Sequence, residues 1–141
     1  MNLSEADLKH FFQQDQYAPH SNIELLTAGP GQATAKMVLH PHHLNALKTV
    51  HGGAIFTLAD FTFAVACNSH GTMAVALEAS IVFMKAATTG TLWAEAREQS
   101  KNFKVGLYVV DIKDDHGDLV AQFQGVVYRK KDKLATAGLV D

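Results

Sequence analysis

The 141-residue sequence contains one cysteine, three prolines and one tryptophan. With Cys67 alone, no disulfide can close within the chain and no thiolate zinc site can be built from one copy, as suits a reducing compartment. Positive charge is not in excess either: 12 Lys and Arg stand against 14 Asp and Glu, for a formal net charge of −2. General nucleic-acid binders carry the opposite balance, so no nucleic acid is expected as partner. Long apolar runs are missing. None approaches the ~18 residues of a membrane span, and Met1-Asn2-Leu3-Ser4-Glu5-Ala6-Asp7 has neither the basic nor the apolar region of a secretory signal. The expectation is a cytoplasmic protein with no membrane partner.

The 48% of hydrophobic residues is enough for one core at this length. The organisation read from the sequence is an N-terminal helical segment over 1–20, one domain over 21–130 and a tail over 131–141. Ser4 caps a short amphipathic helix reaching about Gln14, with Glu5 and Asp7 in its first turn. Extended segments at Ile23 to Ala28 and Gln32 to Leu39 flank Gly29-Pro30-Gly31, which predicts a hairpin. A His- and Asn-rich loop, His40 to Val50, follows. From Gly52 to about Asn68 apolar residues leave almost no polar face, the pattern of a buried helix. Four strands are predicted near Met73 to Met84, Thr91 to Gln99, Lys104 to Asp111 and Leu119 to Tyr128, with a frayed end from Lys130. Their short connections predict an antiparallel meander wrapped around the helix, an α+β architecture.

Asp60 stands out within that helix, with Phe56 and Ala64 at i−4 and i+4 and no local cation. A buried unpaired carboxylate is costly and often has a shifted pKa and a role in a cleft. The plainer reading is an Asp on a partly exposed stripe, bonded to Thr57 or to backbone. His51-Gly52-Gly53 enters the helix. Glycines there let a ligand approach the free N–H groups at the positive end of the dipole, where an oxyanion could be held; an ordinary loop-to-helix turn would look the same.

The run His51-Gly52-Gly53-Ala54-Ile55-Phe56-Thr57-Leu58-Ala59-Asp60, preceded by Leu44-Asn45, resembles the HGG-x4-LAD signature of hotdog thioesterases of the phenylacetyl-CoA and 4-hydroxybenzoyl-CoA type. The similarity continues through Phe63-Ala64, Ala66-Cys67-Asn68-Ser69 and Gly71, and the order of elements agrees from about residue 20 to 130. The resemblance implies a hotdog fold and hydrolysis of aromatic or medium-chain acyl-CoA thioesters without a cofactor. It makes Asp60 the general base or nucleophile and Gly52 the backbone donor that polarises the carbonyl. It gives Asn45 a part in orienting water or substrate and His51 a supporting place at the helix entrance. It also implies a homodimer as the active unit, commonly doubled into a homotetramer. Ala86 departs from the family's usual proline, and Glu78 stands where relatives often carry a small polar residue or another acid.

Because CoA carries phosphates, Gly53, Lys101, Asn102, Lys104 and Arg129 are candidate CoA-binding residues. As surface charges the cations need no function. His40-Pro41-His42-His43 lacks the ligand spacing of zinc enzymes and reads as a solvated loop, so no metal is expected. Cys67, Trp93 and Tyr108 read as packing residues. Two other functions compete. A non-catalytic acyl-CoA sensor would keep the pocket without needing Asp60. A hotdog dehydratase pairs its acid with a helix histidine, and the helix after His51 has none.

Overall fold

The computed structural model describes residues 2–134. Helix α1 spans Glu5–Phe12 and starts in a capping box: Asp7 N–H donates to Ser4 Oγ (3.1 Å), and the Asp7 carboxylate accepts from Ser4 N–H (3.4 Å). It ends at Phe12, slightly short of the expected Gln14. A 3-10 turn over Ala18–Ser21 leads into the hairpin of β1 (Ile23–Gly29) and β2 (Gln32–Val38). Gly31 makes the turn at φ 69°, a value few residues other than glycine adopt.

Helix α2 runs Gly52–Asn68, as its apolar content predicts. After it come β3 (Thr72–Phe83), β4 (Thr91–Lys101), β5 (Val105–Lys113) and β6 (Leu119–Lys133) in one antiparallel sheet of order β1-β2-β4-β5-β6-β3. The expected meander therefore holds only for β4, β5 and β6. β3 pairs with β6 rather than with β4, its sequence neighbour, and occupies the far edge. β6 also continues past the expected frayed end, because Arg129 and Lys133 still pair with Ala74 and Thr72 of β3. The rest of the expected tail, 135–141, lies outside the described residues.

Alternation along the strands sets the packing. Ala33, Ala35 and Met37 of β2, Leu92, Ala94 and Ala96 of β4, and Tyr108, Val110 and Ile112 of β5 are buried beneath α2. The four alanines let the helix lie close to the sheet. Phe63 reaches across to Phe123 and Tyr108, with ring centroids 5.2 and 5.8 Å away. It needs Gly125, where a Cβ would meet Phe63 Cζ at 2.5 Å.

Two surfaces stay open. On α2, Gly53 and Asp60 are exposed and Thr57 and Ala64 partly so, forming one stripe at i, i+4, i+7 and i+11. The expected all-round burial of α2 is thus corrected: its sheet side is buried and this stripe is not. On the β3 edge, Val75, Leu77, Val82 and Phe83 are exposed, with Met84 just beyond. A long apolar strand edge is a template for pairing with another chain.

Candidate active site

The loop before α2 is held by its own polar groups. Asn45 Oδ1 accepts from Leu47 N–H (2.9 Å) and Thr49 N–H (3.2 Å), and its Nδ2 donates to Thr49 Oγ1 (3.1 Å). His43 is buried, contrary to the reading of a solvated His40–His43 loop. Its Nδ1 accepts from His40 N–H (2.9 Å), leaving Nε2–H to donate to Ser21 O (2.8 Å). Burial lowers its pKa, which keeps this neutral form. His43 O in turn accepts from His51 N–H (2.7 Å), so the His43 ring anchors the entrance to the helix. A salt-bridge or metal role is not needed to explain this histidine.

His51 is the N-cap of α2. Its Nδ1 accepts from Gly53 N–H (2.8 Å), and its carbonyl accepts from Ala54 N–H (2.9 Å). Gly53, a candidate CoA-binding residue, thus has its N–H occupied within the loop. The Gly52 N–H has no partner among the described residues. It starts the helix beside a cavity of 430 Å³ lined by Thr49, Val50, Gly52, Ile55, Phe83 and Met84 among others. A Cβ on Gly52 would come within 3.2 Å of Phe83 Cζ.

Asp60 lies two turns further on. No hydrogen bond or ion pair reaches its carboxylate from the described residues, Thr57 being bonded to Gly53 O instead (2.8 Å). The surrounding protein mass on its inner side, and secondarily the Asp15 carboxylate, hold its pKa above the ordinary aspartate value although its outer side meets solvent. Burial pushes the Cys67 thiol up to about 12, which removes it as a thiolate nucleophile.

The structure thus brings Asn45, His51, Gly52 and Gly53 together and sets Asp60 along the same helix. It does not bring the four CoA-binding candidates of the strands to them. Lys101 ends β4 and Asn102 and Lys104 lie in the turn to β5, while Arg129 bonds to Asn102 O (2.8 Å) and to Thr72 Oγ1 (3.3 Å), at the start of the strand that follows α2. Asn102 Oδ1 is taken up by Lys104 N–H and Val105 N–H (2.9 and 2.8 Å). Around them Phe103, Lys104, Tyr128, Arg129, Lys130 and Lys131 line a shallow basic cavity of 340 Å³. Glu78 pairs with Val126, on the sheet face away from α2. Trp93 lies on that outer face too, where Nε1–H donates to Asp115 (2.9 Å) rather than packing in the core.

A sequence model of the thioesterase superfamily matches residues 47–121, from the loop before α2 to the start of β6. The chain belongs to the thioesterase superfamily. It is 34% identical over 119 residues to the acyl-coenzyme A thioesterase PaaI of Escherichia coli, covering 84% of this chain and 85% of that one. It is 32% identical over 106 residues to human acyl-coenzyme A thioesterase 13, covering 71% and 74%. The solved structure of the E. coli PaaI protein superposes with a TM-score of 0.87 at 29% identity, over 93% of this chain and 99% of that one. A hotdog fold follows for this thioesterase, with α2 as the helix inside its sheet.

Proposed function

We propose that this protein hydrolyses acyl-CoA thioesters, of aromatic or medium-chain acids, to free acid and CoA. The observation that carries the chemistry is the Gly52 N–H at the positive end of α2, together with the Asp60 carboxylate on the open stripe of the same helix, both without a hydrogen-bond partner among the described residues. A thioester carbonyl placed on that N–H gains stabilisation as it becomes an oxyanion. Asp60, as general base toward water or as nucleophile, supplies the other half. Either route forms a C–O bond, breaks the C–S bond and expels a thiolate that needs little help to leave; as base, Asp60 takes the proton of the attacking water, and as nucleophile it forms a mixed anhydride that a second water hydrolyses to the free acid.

Gly52 and Asp60 are eight residues apart, hence about 12 Å along the helix at ~1.5 Å per residue. Reacting groups must approach to about 3–3.5 Å. The Gly52 N–H and the Asp60 carboxylate of one site therefore come from two subunits, with their α2 helices antiparallel across a two-fold axis. The open stripe on α2 and the apolar β3 edge are the surfaces such a homodimer would cover, and pairing of two dimers gives the homotetramer. In this arrangement the C-terminal end of the helix that carries Asp60 extends about 12 Å beyond the site. Lys101, Lys104 and Arg129 of the Asp60 subunit then flank the path of the CoA nucleotide, while Asn45 and His51 stay with Gly52 in the other.

The test is thiol release from a panel including phenylacetyl-CoA and medium-chain acyl-CoA, with wild type and Asp60→Asn side by side. Turnover by wild type and its loss in Asp60→Asn is the expected result. Tight binding of the same thioesters with no thiol released by wild type would make the protein a sensor instead.

A further inference from the structure

The cavity of 430 Å³ beside the Gly52 N–H has an apolar lining of two kinds. Val50, Ile55 and Ala87 are buried, whereas Phe83 and Met84, where β3 ends, are exposed. The tip of the Phe83 ring points at the start of α2: Cζ, Cε1 and Cε2 lie 3.2, 3.6 and 3.8 Å from the position that a Cβ on Gly52 would take. The inner rings Phe56, Phe63, Tyr108 and Phe123 pack on one another, but no ring among the described residues packs on Phe83. Backbone bonds fix the segments that carry these side chains. Met84 and Lys85 N–H both donate to Val120 O (2.8 and 3.2 Å), and Val50 N–H donates to Ala87 O (2.8 Å). Covering the Phe83 ring would therefore remove apolar surface from water without a rearrangement of its support.

A thioester whose carbonyl oxygen rests on the Gly52 N–H extends in two directions. One arm is the acyl group; the other is pantetheine, which leads to the phosphates of CoA. Charge around the cavity distinguishes them. Lys85, which also borders it, gives its ammonium to Asp114 and Asp118 (2.7 Å each), and Asp115 stands beside them, accepting from Thr91 N–H and Trp93 Nε1–H (3.1 and 2.9 Å). The neighbouring Lys113 ammonium turns to Glu95 instead (3.7 Å). A rim with three carboxylates, its ammonium already shared by two of them, disfavours a phosphate. The cations Lys104, Arg129, Lys130 and Lys131 line a different cavity.

We infer that the cavity beside Gly52 receives the acyl group, and that Phe83 is a specificity residue that favours aromatic acids there. This rests on the reading of the protein as a thioesterase with Gly52 as its oxyanion donor. An aromatic acyl group laid on the Phe83 ring gains a ring-to-ring contact beyond the area it buries, and the Met84 thioether adds a sulfur–aromatic contact. A straight chain of similar size buries comparable surface and gains neither.

The experiment measures kcat/KM for phenylacetyl-CoA and hexanoyl-CoA, and the Ki of free CoA, on full-length wild type, Phe83→Leu and Ala86→Leu, with a melting curve for each. Leucine at position 83 keeps an apolar side chain and removes the ring. It is expected to lower kcat/KM for phenylacetyl-CoA about 5-fold more than for hexanoyl-CoA. Ala86 lines the same cavity from its exposed side, and Ala86→Leu supplies the test should Phe83→Leu fail to fold. It is expected to lower kcat/KM for both thioesters about 10-fold or more by filling the space. CoA has no acyl group, so its Ki is expected to stay within about two-fold in both variants. A Ki that rises in step with the loss on thioesters places pantetheine in the cavity and overturns the inference. Equal falls on the two thioesters in Phe83→Leu, as a role in folding or subunit contact would give, overturn it too, as does unchanged kcat/KM in a folded variant. So does a wild type that turns over hexanoyl-CoA and not phenylacetyl-CoA. Each of these outcomes leaves hydrolysis standing; a wild type that releases thiol from neither thioester overturns hydrolysis itself, and this inference with it.

Discussion

Asp60 and Glu98 are two carboxylates of one domain with opposite surroundings. Glu98, on β4, receives the Tyr108 hydroxyl at 2.9 Å and pairs with His70, whose other ring nitrogen meets Asn2 Oδ1 at 3.0 Å. Burial pushes the Glu98 pKa up, but the bonds from His70 and Tyr108 outweigh it and hold it below the ordinary glutamate value. Asp60 has no such donors, so burial and Asp15 prevail and its pKa is raised. The one carboxylate is spent on joining the N-terminal segment, the end of α2 and the sheet. The other is left without a donor among the described residues, as its proposed role requires. The same residue class is tied down where donors converge on it and left free to react where they are withheld.

The largest expected effect comes from the untied member. Asp60→Asn should lower turnover by about 100-fold or more, the scale of a lost acid-base group, while thermal stability at pH 7 stays level or rises. The sign follows from linkage: a folded-state pKa that is raised means the ionised form is less favoured in the native protein than in the unfolded chain, so removing that charge at neutral pH costs no stability. Activity within a few-fold of wild type would remove Asp60 from the mechanism.

The tied member should behave in reverse. Glu98→Ala strands the buried Tyr108 hydroxyl and should cost about 1–3 kcal/mol in denaturant unfolding, with kcat little changed. Glu98→Gln keeps an acceptor and should cost less. Because the Glu98 pKa is depressed, the wild-type contribution is present above the ordinary glutamate value and lost as pH falls through the lowered one. The stability gap between wild type and Glu98→Ala should therefore narrow on acidification, and a gap that widens would break the comparison.

Smaller still is the effect of the basic rim. Neutralising Lys101 and Lys104 should raise KM for acyl-CoA more than it lowers kcat, since phosphate contacts remote from the carbonyl act as uniform binding. A fall in kcat at unchanged KM would contradict that placement.

Much of this was legible in the sequence for local reasons. The extent of α2, the Gly29-Pro30-Gly31 hairpin and the starts of β4 to β6 follow from periodicity and turn chemistry, which act over a few residues. The place of β3 was not legible, because alternation marks a strand without naming its neighbour. The end of β6 was missed because Arg129 to Lys133 look like a solvated charge run, and only pairing with β3 keeps them extended. Within the site, the resemblance pointed to Gly52 and Asp60, whereas the open stripe and the anchoring by His43 depend on contacts between distant segments.

The central claim is that one active site takes its carboxylate and its oxyanion donor from different subunits. It is tested most directly by mixing two inactive variants. Asp60→Ala removes the carboxylate. Gly52→Pro removes the N–H at the first helical position, where proline is well tolerated and the extended His51 before it is compatible. Co-refolded in equal amounts, half of the dimers are mixed, and each mixed dimer has one site with both good partners, which predicts recovery of about one quarter of wild-type activity. If mixed dimers form in that proportion, both homodimers are folded, and thiol release stays at the level of the parents, the shared site is contradicted.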